Sequence, residues 1–459
     1  MNFKDNVPKF SKRDLLVIVI AALTQFTTSF IGSMIPVALP LISNDLHLTF
    51  VQINAISTAY MIALIAVSLP LSKVIAQYGV KKFTIYGIII LIAGLLMSAI
   101  SMDFYFLVFS RIIQGISVGI LLISIYLFVV NQVSENHLGE ALGIVGATGY
   151  IGMTSAPTIS GFLVYYISWR PLFIILILVF IFELILISRL DGEYTSEPKP
   201  INVRDSFFYI IIMIVFMMGL NNIVSWGIYL LIFSIIALAI FIKAESKISN
   251  PIFDFSLFKK ISYAVGNYAA FVTYFITFIA TYIINFHLQY VLGYDSRIAG
   301  MILLITPLVM VIISPVGGKF ADKLDGRLVS GSAMIILLFV MIALCFIDLL
   351  PIYALFVVMI IQGIGHGLFS PPNNKFVLTE VDHEELSDAS SMLTTSKEVG
   401  KAVSLAIYNV LCIVIVGDVS INSSNVAGLI STSHAIMAIS AVLTLSAAIL
   451  LFYSKFHDD

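Results

Sequence analysis

Charged residues are scarce in this sequence, and their scarcity excludes whole classes of protein. Of 459 residues, 24 are Lys or Arg and 26 are Asp or Glu, so charge makes up 11% of the chain while hydrophobic residues make up 60%. A soluble globular domain has about 25% charged residues. An ordinary cytosolic protein is therefore excluded, and the net charge of −2 provides no basic field that would attract nucleic acid.

Cysteine is nearly absent, and common catalytic motifs are missing. The two cysteines, Cys345 and Cys412, both lie inside apolar runs, where they offer neither a disulfide framework nor a metal cluster. The sequence contains no G-x-x-x-x-G-K-[ST] phosphate loop, no H-E-x-x-H and no G-x-S-x-G. We therefore expect no enzymatic activity, no cofactor, no metal and no use of bound ATP.

The apolar residues are gathered into long runs that are typical of membrane-spanning helices, each of which needs about 20 apolar residues. Fourteen such runs are found, at 15–43, 51–76, 83–101, 104–131, 139–167, 171–189, 207–222, 225–243, 262–291, 297–320, 328–347, 352–377, 388–416 and 431–453. Alternate loops hold most of the Lys and Arg residues, and the opposite loops hold Arg170 and Arg297. This bias predicts a multi-pass plasma-membrane protein with both termini in the cytoplasm.

An internal repeat divides the chain into two similar parts. The segment IIQGISVG at 112–119 recurs as IIQGIGHG at 360–367, and the spacing between Gly79 and Gly326 is nearly the same. We predict an N-terminal six-helix bundle over 1–190, then a linker, two inserted transmembrane helices and a cytoplasmic segment over 191–261, and a C-terminal six-helix bundle over 262–459. Parallel repeats of this kind are typical of transporters that rock about a central site.

The motifs resemble those of the major facilitator superfamily, in particular its fourteen-helix drug:proton antiporter branch. RIIQGISVG at 111–119 is similar to the helix-4 motif, and GKFADKLDGR at 318–327 is similar to the cytoplasmic motif between paired helices. The resemblance implies an all-α membrane fold with fourteen spans and secondary transport by alternating access. It further implies proton-coupled export of amphipathic or cationic drugs by a functional monomer whose partners are the substrate, protons and the bilayer.

Three departures from the branch leave other functions open. Ile31 stands where the branch carries an acid, the first cytoplasmic motif has Ala76 near its usual aspartate, and the helix-5 motif survives only in part as APTISG at 156–161. One alternative is a metabolite or ion transporter of the same fold with different coupling. The other is a polytopic membrane enzyme or sensor, which the lack of a catalytic cluster disfavours.

Ionisable residues inside the predicted spans are the first candidates for function, because burying a charge in the bilayer costs at least roughly 2.5–3.5 kcal/mol. The candidates for proton coupling and the central cavity are Arg111, Gln114, Glu183, His366 and Glu398. The family motif contains the arginine, whereas the repeat has Met359 in its place, so the scaffold itself does not require a charge there.

Each of these residues also has a purely structural interpretation. Arg111 would snorkel to the outer interface, and Glu398 would pair within its helix with Lys397 or Lys401. Glu183 would reach the cytoplasmic interface, and His366 would be a hydrogen-bonded packing group. For Glu183 and His366 the structural interpretation is the favoured one.

Two further groups complete the predicted site. Polar residues in helices that we expect around a substrate cavity are Gln25, Asn54, Tyr60, Tyr150, Asn267 and Gln362. In the cytoplasmic motif, Gly318 permits close helix approach, and Asp322 with Arg327 is expected to act as a conformational latch, since an acid is favoured near a helix N-terminus.

Overall fold

The structure is a computed structural model. It describes residues 10–48, 50–196, 201–223, 226–248, 251–294, 296–382, 385–416 and 426–457. The described residues form fifteen α-helices and no β-strand. The helices are α1 (Lys12–Leu46), α2 (Phe50–Tyr78), α3 (Val80–Ala99), α4 (Phe104–Gln132), α5 (Leu138–Tyr166), α6 (Pro171–Ser188), α7 (Val203–Asn221), α8 (Gly227–Glu245), α9 (Ile261–Phe286), α10 (Ser296–Leu303), α11 (Ile305–Lys323), α12 (Gly326–Leu344), α13 (Ile352–Thr379), α14 (Leu386–Ile415) and α15 (Val426–His457).

Each predicted span overlaps a helix over most of its length, with α10 and α11 together forming the tenth. Among the described residues, thirteen helical segments are long and apolar enough to cross a membrane, and α5 is not one of them. Its sequence is rich in glycine, serine and threonine, because it packs against both α1 and α11 and small residues allow that close approach. The all-α membrane fold predicted from sequence is confirmed.

Polar side chains begin several of the helices. Ser11 accepts the N–H of Asp14, whose carboxylate accepts the N–H of Ser11 in return, and this capping box starts α1. Asp103 caps α4 by accepting the N–H of Phe106, and Asp325 caps α12. These caps satisfy backbone donors that a helix leaves unpaired at its first turn.

The two halves repeat the same pattern of helix packing. In the N-terminal half, α1 packs on α5, α2 on α4, and α3 on α4 and α6. In the C-terminal half, α9 packs on α14, α11 on α13, and α12 on α13 and α15. The equivalent helices therefore make equivalent contacts, which is the arrangement that the internal sequence repeat predicts.

The halves meet along two equivalent helix pairs, α5 with α11 and α2 with α14. At the first pair, a side chain on Gly318 would collide with the backbone of Gly139, and one on Gly143 would collide with that of Ser314. The inserted helices α7 and α8 pack on each other, and α7 also contacts α2 and α14. The inserted pair therefore lies beside one of the two seams between the halves.

The outer surface is apolar, as a bilayer requires. Large apolar side chains on several helices are more than half exposed, including Phe162, Leu178, Phe233, Ile240 and Val442. In a water-soluble monomer an apolar surface this extensive would promote association. The buried polar residues instead gather between the helices, where the candidate functional site lies.

Candidate functional site

A lysine of α14 makes hydrogen bonds to both halves of the protein. Lys397 is 5% exposed, and its Nζ donates hydrogen bonds to Tyr126 Oη at 2.8 Å and to Asn374 Oδ1 at 2.8 Å. Tyr126 belongs to α4 in the N-terminal half, whereas Asn374 belongs to α13 in the C-terminal half. The ammonium of Lys397 is thus shared between the two repeats.

One turn further along α14, an ion pair stands beside Lys397. Lys401 Nζ lies 2.6 Å from Glu398 Oε1, and both side chains are mostly buried. The ring of Tyr274 on α9 lies near both ammoniums, with its centroid 5.5 Å from Lys397 Nζ and 5.3 Å from Lys401 Nζ. The aromatic face stabilises these neighbouring cations by cation–π interaction.

His366 extends this group toward α5. Its Nδ1 lies 3.0 Å from Thr277 Oγ1, and its ring packs edge to face with the rings of Tyr150 and Tyr274 at centroid distances of 5.5 and 5.4 Å. Tyr150 lies in the N-terminal half and Tyr274 in the C-terminal half. We call the set that spans the two halves the central cluster; its members are Tyr126, Tyr150, Tyr274, His366, Lys397, Glu398 and Lys401.

Arg111 is buried in the N-terminal half, against Tyr60 and Gln114. It is 1% exposed, its guanidinium lies over the ring of Tyr60 at 4.4 Å, and Nη1 donates to Gln114 Oε1. Gln114 in turn donates to the carbonyl of Gly94 and the hydroxyl of Ser98. Its burial in the bundle is unlike snorkelling, in which the charged end reaches the interface.

Glu183 lies elsewhere in the N-terminal half. It is fully buried, accepts a hydrogen bond from Thr24 on α1, and leaves Oε2 without a partner. The side chain therefore points into the contact between α1 and α6. The structural interpretation drawn from the sequence instead has it reach the cytoplasmic interface. Its burial makes it a carboxyl group in an apolar setting.

The other predicted cavity residues have mixed surroundings. Gln25 contacts Ser29 on its own helix, and Asn267 bonds the carbonyl of Tyr263 and the hydroxyl of Ser396. Gln362 is buried and its Nε2 has no partner. The Asn54 side chain lies outside the described residues. Of the six predicted cavity residues, Tyr150 lies in the central cluster, and Tyr60 lies under the guanidinium of Arg111.

The predicted latch residue Asp322 bridges the two halves. Its carboxylate accepts the N–H groups of Gly139 and Glu140 at the start of α5, at 2.7 and 2.9 Å, and it pairs with Lys375 at 2.8 Å. Arg327, the predicted partner, bonds Asp325 within the C-terminal half. Asp322 therefore holds α5 through its helix N-terminus, with Lys375 as its cation.

A second bridge occupies the equivalent place on the other seam. Lys73 of α2 pairs with Asp388 of α14 at 3.4 Å and donates to the carbonyl of Pro251 at 2.7 Å. Asp388 also accepts the N–H of Asp254 at 3.1 Å. By the repeat, Asp388 corresponds to Glu140, which pairs with Lys319 at 3.2 Å. The sequence motif did not predict this bridge, because the motif has its aspartate near Ala76 of α2, whereas α2 supplies the lysine of the bridge.

We expect Lys73→Met to loosen this second bridge. The substitution leaves Asp388 buried without its cation, and a hydrogen bond to a charged group contributes about 1.5–3 kcal/mol. The thermal unfolding midpoint should be lower than in the unmodified protein. Hydrogen exchange over residues 251–260 should be faster. Lys82→Met, at an exposed lysine on the same side, is the matched control. Unchanged exchange over 251–260 would contradict the assignment.

This chain is similar to known membrane transporters over nearly its whole length. A family model described as Major Facilitator Superfamily matches residues 21–405 and residues 267–458. The riboflavin transporter RibZ of Clostridioides difficile (strain 630) is 27% identical over 402 residues, which cover 87% of this chain and 88% of RibZ. The multidrug efflux pump SdrM of Staphylococcus aureus (strain N315) is 23% identical over 457 residues, which cover 97% of this chain and 98% of SdrM.

A solved structure shows the same arrangement of helices. The crystal structure of the human organic anion transporter MFSD10 (TETRAN) covers 97% of this chain and 100% of its own, with a TM-score of 0.68 and 12% sequence identity. At that identity the likeness concerns the fold alone. It extends over both halves and therefore does not depend on a single motif.

Proposed function

Because the chain belongs to the major facilitator superfamily, and is therefore a membrane transporter and not an enzyme, we propose that it exports amphipathic organic compounds in exchange for protons. Transport proceeds by alternating access, in which the two halves rock about a site between them. The relatives include both a multidrug efflux pump and a riboflavin transporter, so the superfamily alone does not select the substrate. Multidrug export is the activity that the branch resemblance favours.

The observation that carries the proposal is the central cluster, which both halves build. Lys397 bonds Tyr126 across the junction, and His366 packs against rings from both halves. Rocking of one half against the other would separate these partners. A substrate bound there would therefore contact residues whose positions differ between the two access states, which is the requirement for coupling its binding to the conformational change.

Glu398 is our proposed proton-coupling group. In this conformation its carboxylate pairs with Lys401, and protonation would remove the charge that holds the pair. Protonation of Glu398 would thus change the field around Lys401 and its neighbour Lys397. Glu183, buried against Thr24, is the second carboxyl group suited to carry a proton.

Glu398→Gln should abolish proton-driven transport while preserving exchange of substrate for substrate. The assay uses the full chain in proteoliposomes with an imposed pH gradient, an internal pH dye, and a panel of riboflavin, ethidium and fluorescein. Glutamine keeps the size of the side chain but cannot release a proton, so the gradient should no longer drive accumulation, whereas counterflow needs no net proton movement. Glu183→Gln is measured in parallel as the competing assignment.

The possible results separate the assignments. Proton movement that survives Glu398→Gln but is lost in Glu183→Gln would transfer the coupling role to Glu183. Transport that is insensitive to the pH gradient in the unmodified protein would contradict proton coupling altogether. Transport of riboflavin with no transport of either dye would favour the alternative of a metabolite transporter, which the 27% identity to a riboflavin transporter supports.

The topology and assembly belong to the same proposal. We place the protein in the plasma membrane as a monomer with both termini in the cytoplasm, on the basis of the Lys and Arg asymmetry between alternate loops. In that orientation the bridges made by Asp322 and Asp388 lie on the cytoplasmic side. The described conformation would then be closed toward the cytoplasm.

A further inference from the structure

We propose that the central cluster binds the anionic group of an aromatic amphipathic substrate, with Lys397 as the main charged contact. This inference rests on the proposed transport function and specifies the substrate class. It differs from the expectation of cationic drugs that the branch resemblance implies. The charge of the site, an unused hydrogen-bond donor and the aromatic surroundings favour such a ligand.

Positive charge exceeds negative charge at this site. Lys397 and Lys401 supply two cations, and Glu398 supplies one carboxylate, which pairs with Lys401. Among the described residues, no Asp or Glu lies within salt-bridge distance of Lys397 or Arg111. Within the described part of the chain, Lys397 therefore has no carboxylate within 4 Å, and a ligand that carries a cation would add further positive charge beside it.

Lys397 also retains a hydrogen-bond donor that a ligand can use. An ammonium has three N–H groups, and Lys397 directs two of them to Tyr126 and Asn374. The third N–H is therefore left for a ligand. Since a buried charge without a full set of partners costs free energy, an incoming carboxylate, sulfonate or phosphate would offset that cost for Lys397.

The surroundings favour an aromatic body attached to that anionic group. Tyr126, Tyr150 and Tyr274 lie around Lys397 and His366 and come from three different helices. Aromatic rings prefer offset or edge-to-face contacts with one another, so a flat ring can enter among them without a specific hydrogen-bond pattern. An anionic head on Lys397 with an aromatic body among the tyrosines fits both features.

A matched set of three ligands tests the charge preference. The purified full chain in detergent is titrated with naphthylacetate, its neutral amide naphthylacetamide, and the cation naphthylmethylamine, and Kd is measured by thermal shift. We expect the carboxylate to bind about 10- to 100-fold more tightly than the amide, because a charge-assisted hydrogen bond replaces a neutral one. The amine should bind more weakly than the amide.

Variants of Lys397 assign the preference to this residue. Lys397→Met should reduce carboxylate binding to the level of the amide, Lys397→Arg should retain most of the preference, and Lys243→Met, at an exposed lysine of α8, should leave it unchanged. Gel filtration shows whether each variant is folded. If the methionine variant is not folded, the arginine variant keeps the test valid.

Equal or tighter binding of the amide or amine would overturn the inference, and so would a carboxylate preference that survives Lys397→Met. Failure of the carboxylate to bind counts against it as well. The proposed function fails by a different result, namely that the unmodified protein transports no compound of the proteoliposome panel. Transport of ethidium with no preference for anions would therefore reject the anion site and keep the transporter proposal.

Discussion

Replacing Gly318 with alanine should open the seam between α5 and α11. A Cβ on Gly318 would collide with the backbone of Gly139 and Glu140, and backbone cannot move aside as a flexible side chain can. Overpacking of this kind costs about 1–3 kcal/mol, which shifts an equilibrium by roughly 5- to 150-fold. We expect the closed arrangement to lose population by a factor in this range.

A buried reporter cysteine measures the opening. Ser314 is fully buried and donates to the carbonyl of Gly143, so Ser314→Cys in a chain with Cys345 and Cys412 replaced by alanine should be alkylated slowly. Adding Gly318→Ala should raise the alkylation rate, whereas Gly300→Ala should not, because a Cβ there meets nothing within 4 Å. Equal rates with both alanine substitutions would contradict the close-contact role of Gly318.

Asp322→Asn should have a still larger effect on the same seam. The aspartate accepts two N–H groups at the start of α5 and pairs with Lys375, and the side chains of Asp322 and Lys375 are both largely buried. Removing one partner of a buried pair costs about 3–5 kcal/mol, since the other charge is left uncompensated. The Ser314→Cys reporter should become more reactive than in Gly318→Ala, and proton-driven transport should fall.

Two further variants separate a latch from general destabilisation. Combining Asp322→Asn with Lys375→Met removes the unpaired ammonium, so the double variant should recover part of the lost protection, as expected for coupled residues. Asp325→Asn, three residues along the chain, disrupts contacts with Arg327 and Lys455. It should lower the unfolding temperature but leave the reporter protected. A double variant that shows the full sum of both losses would contradict the pairing.

The latch motif illustrates how far local sequence carries a prediction. GKFADKLDGR at 318–327 indicated that Gly318 permits close approach and that Asp322 acts at a helix N-terminus, and both residues do lie against the start of α5. The motif also suggested Arg327 as the partner because it is near in sequence. Lys375 takes that place from α13, a helix that the motif does not include, and the sequence contained no signal for this pairing.

The charged residues of α14 show which contacts spacing along one helix predicts and which it does not. Spacing alone predicted that Glu398 can pair with Lys401 within one helix, and the structure contains that pair. From the sequence, Lys397 was predicted only as another possible partner for Glu398. Its bonds to Tyr126 and Asn374 depend on helices that are distant in the chain. The four-residue spacing of Lys397 and Lys401, which places both on one face of α14, was the indication in the sequence that Lys397 belongs to this site.

The sequence by itself determined the membrane fold, the apolar spans, the internal repeat and the family, because each follows from apolar run length or from motifs within a short stretch of chain. The tertiary structure decided which charges are compensated. Helical periodicity shows which residues share a face of one helix, but the partner across that face is chosen by packing between helices far apart in sequence. Thus Asp322 pairs with Lys375, and Glu183 accepts a hydrogen bond from Thr24. Lys397 donates hydrogen bonds to Tyr126 and Asn374.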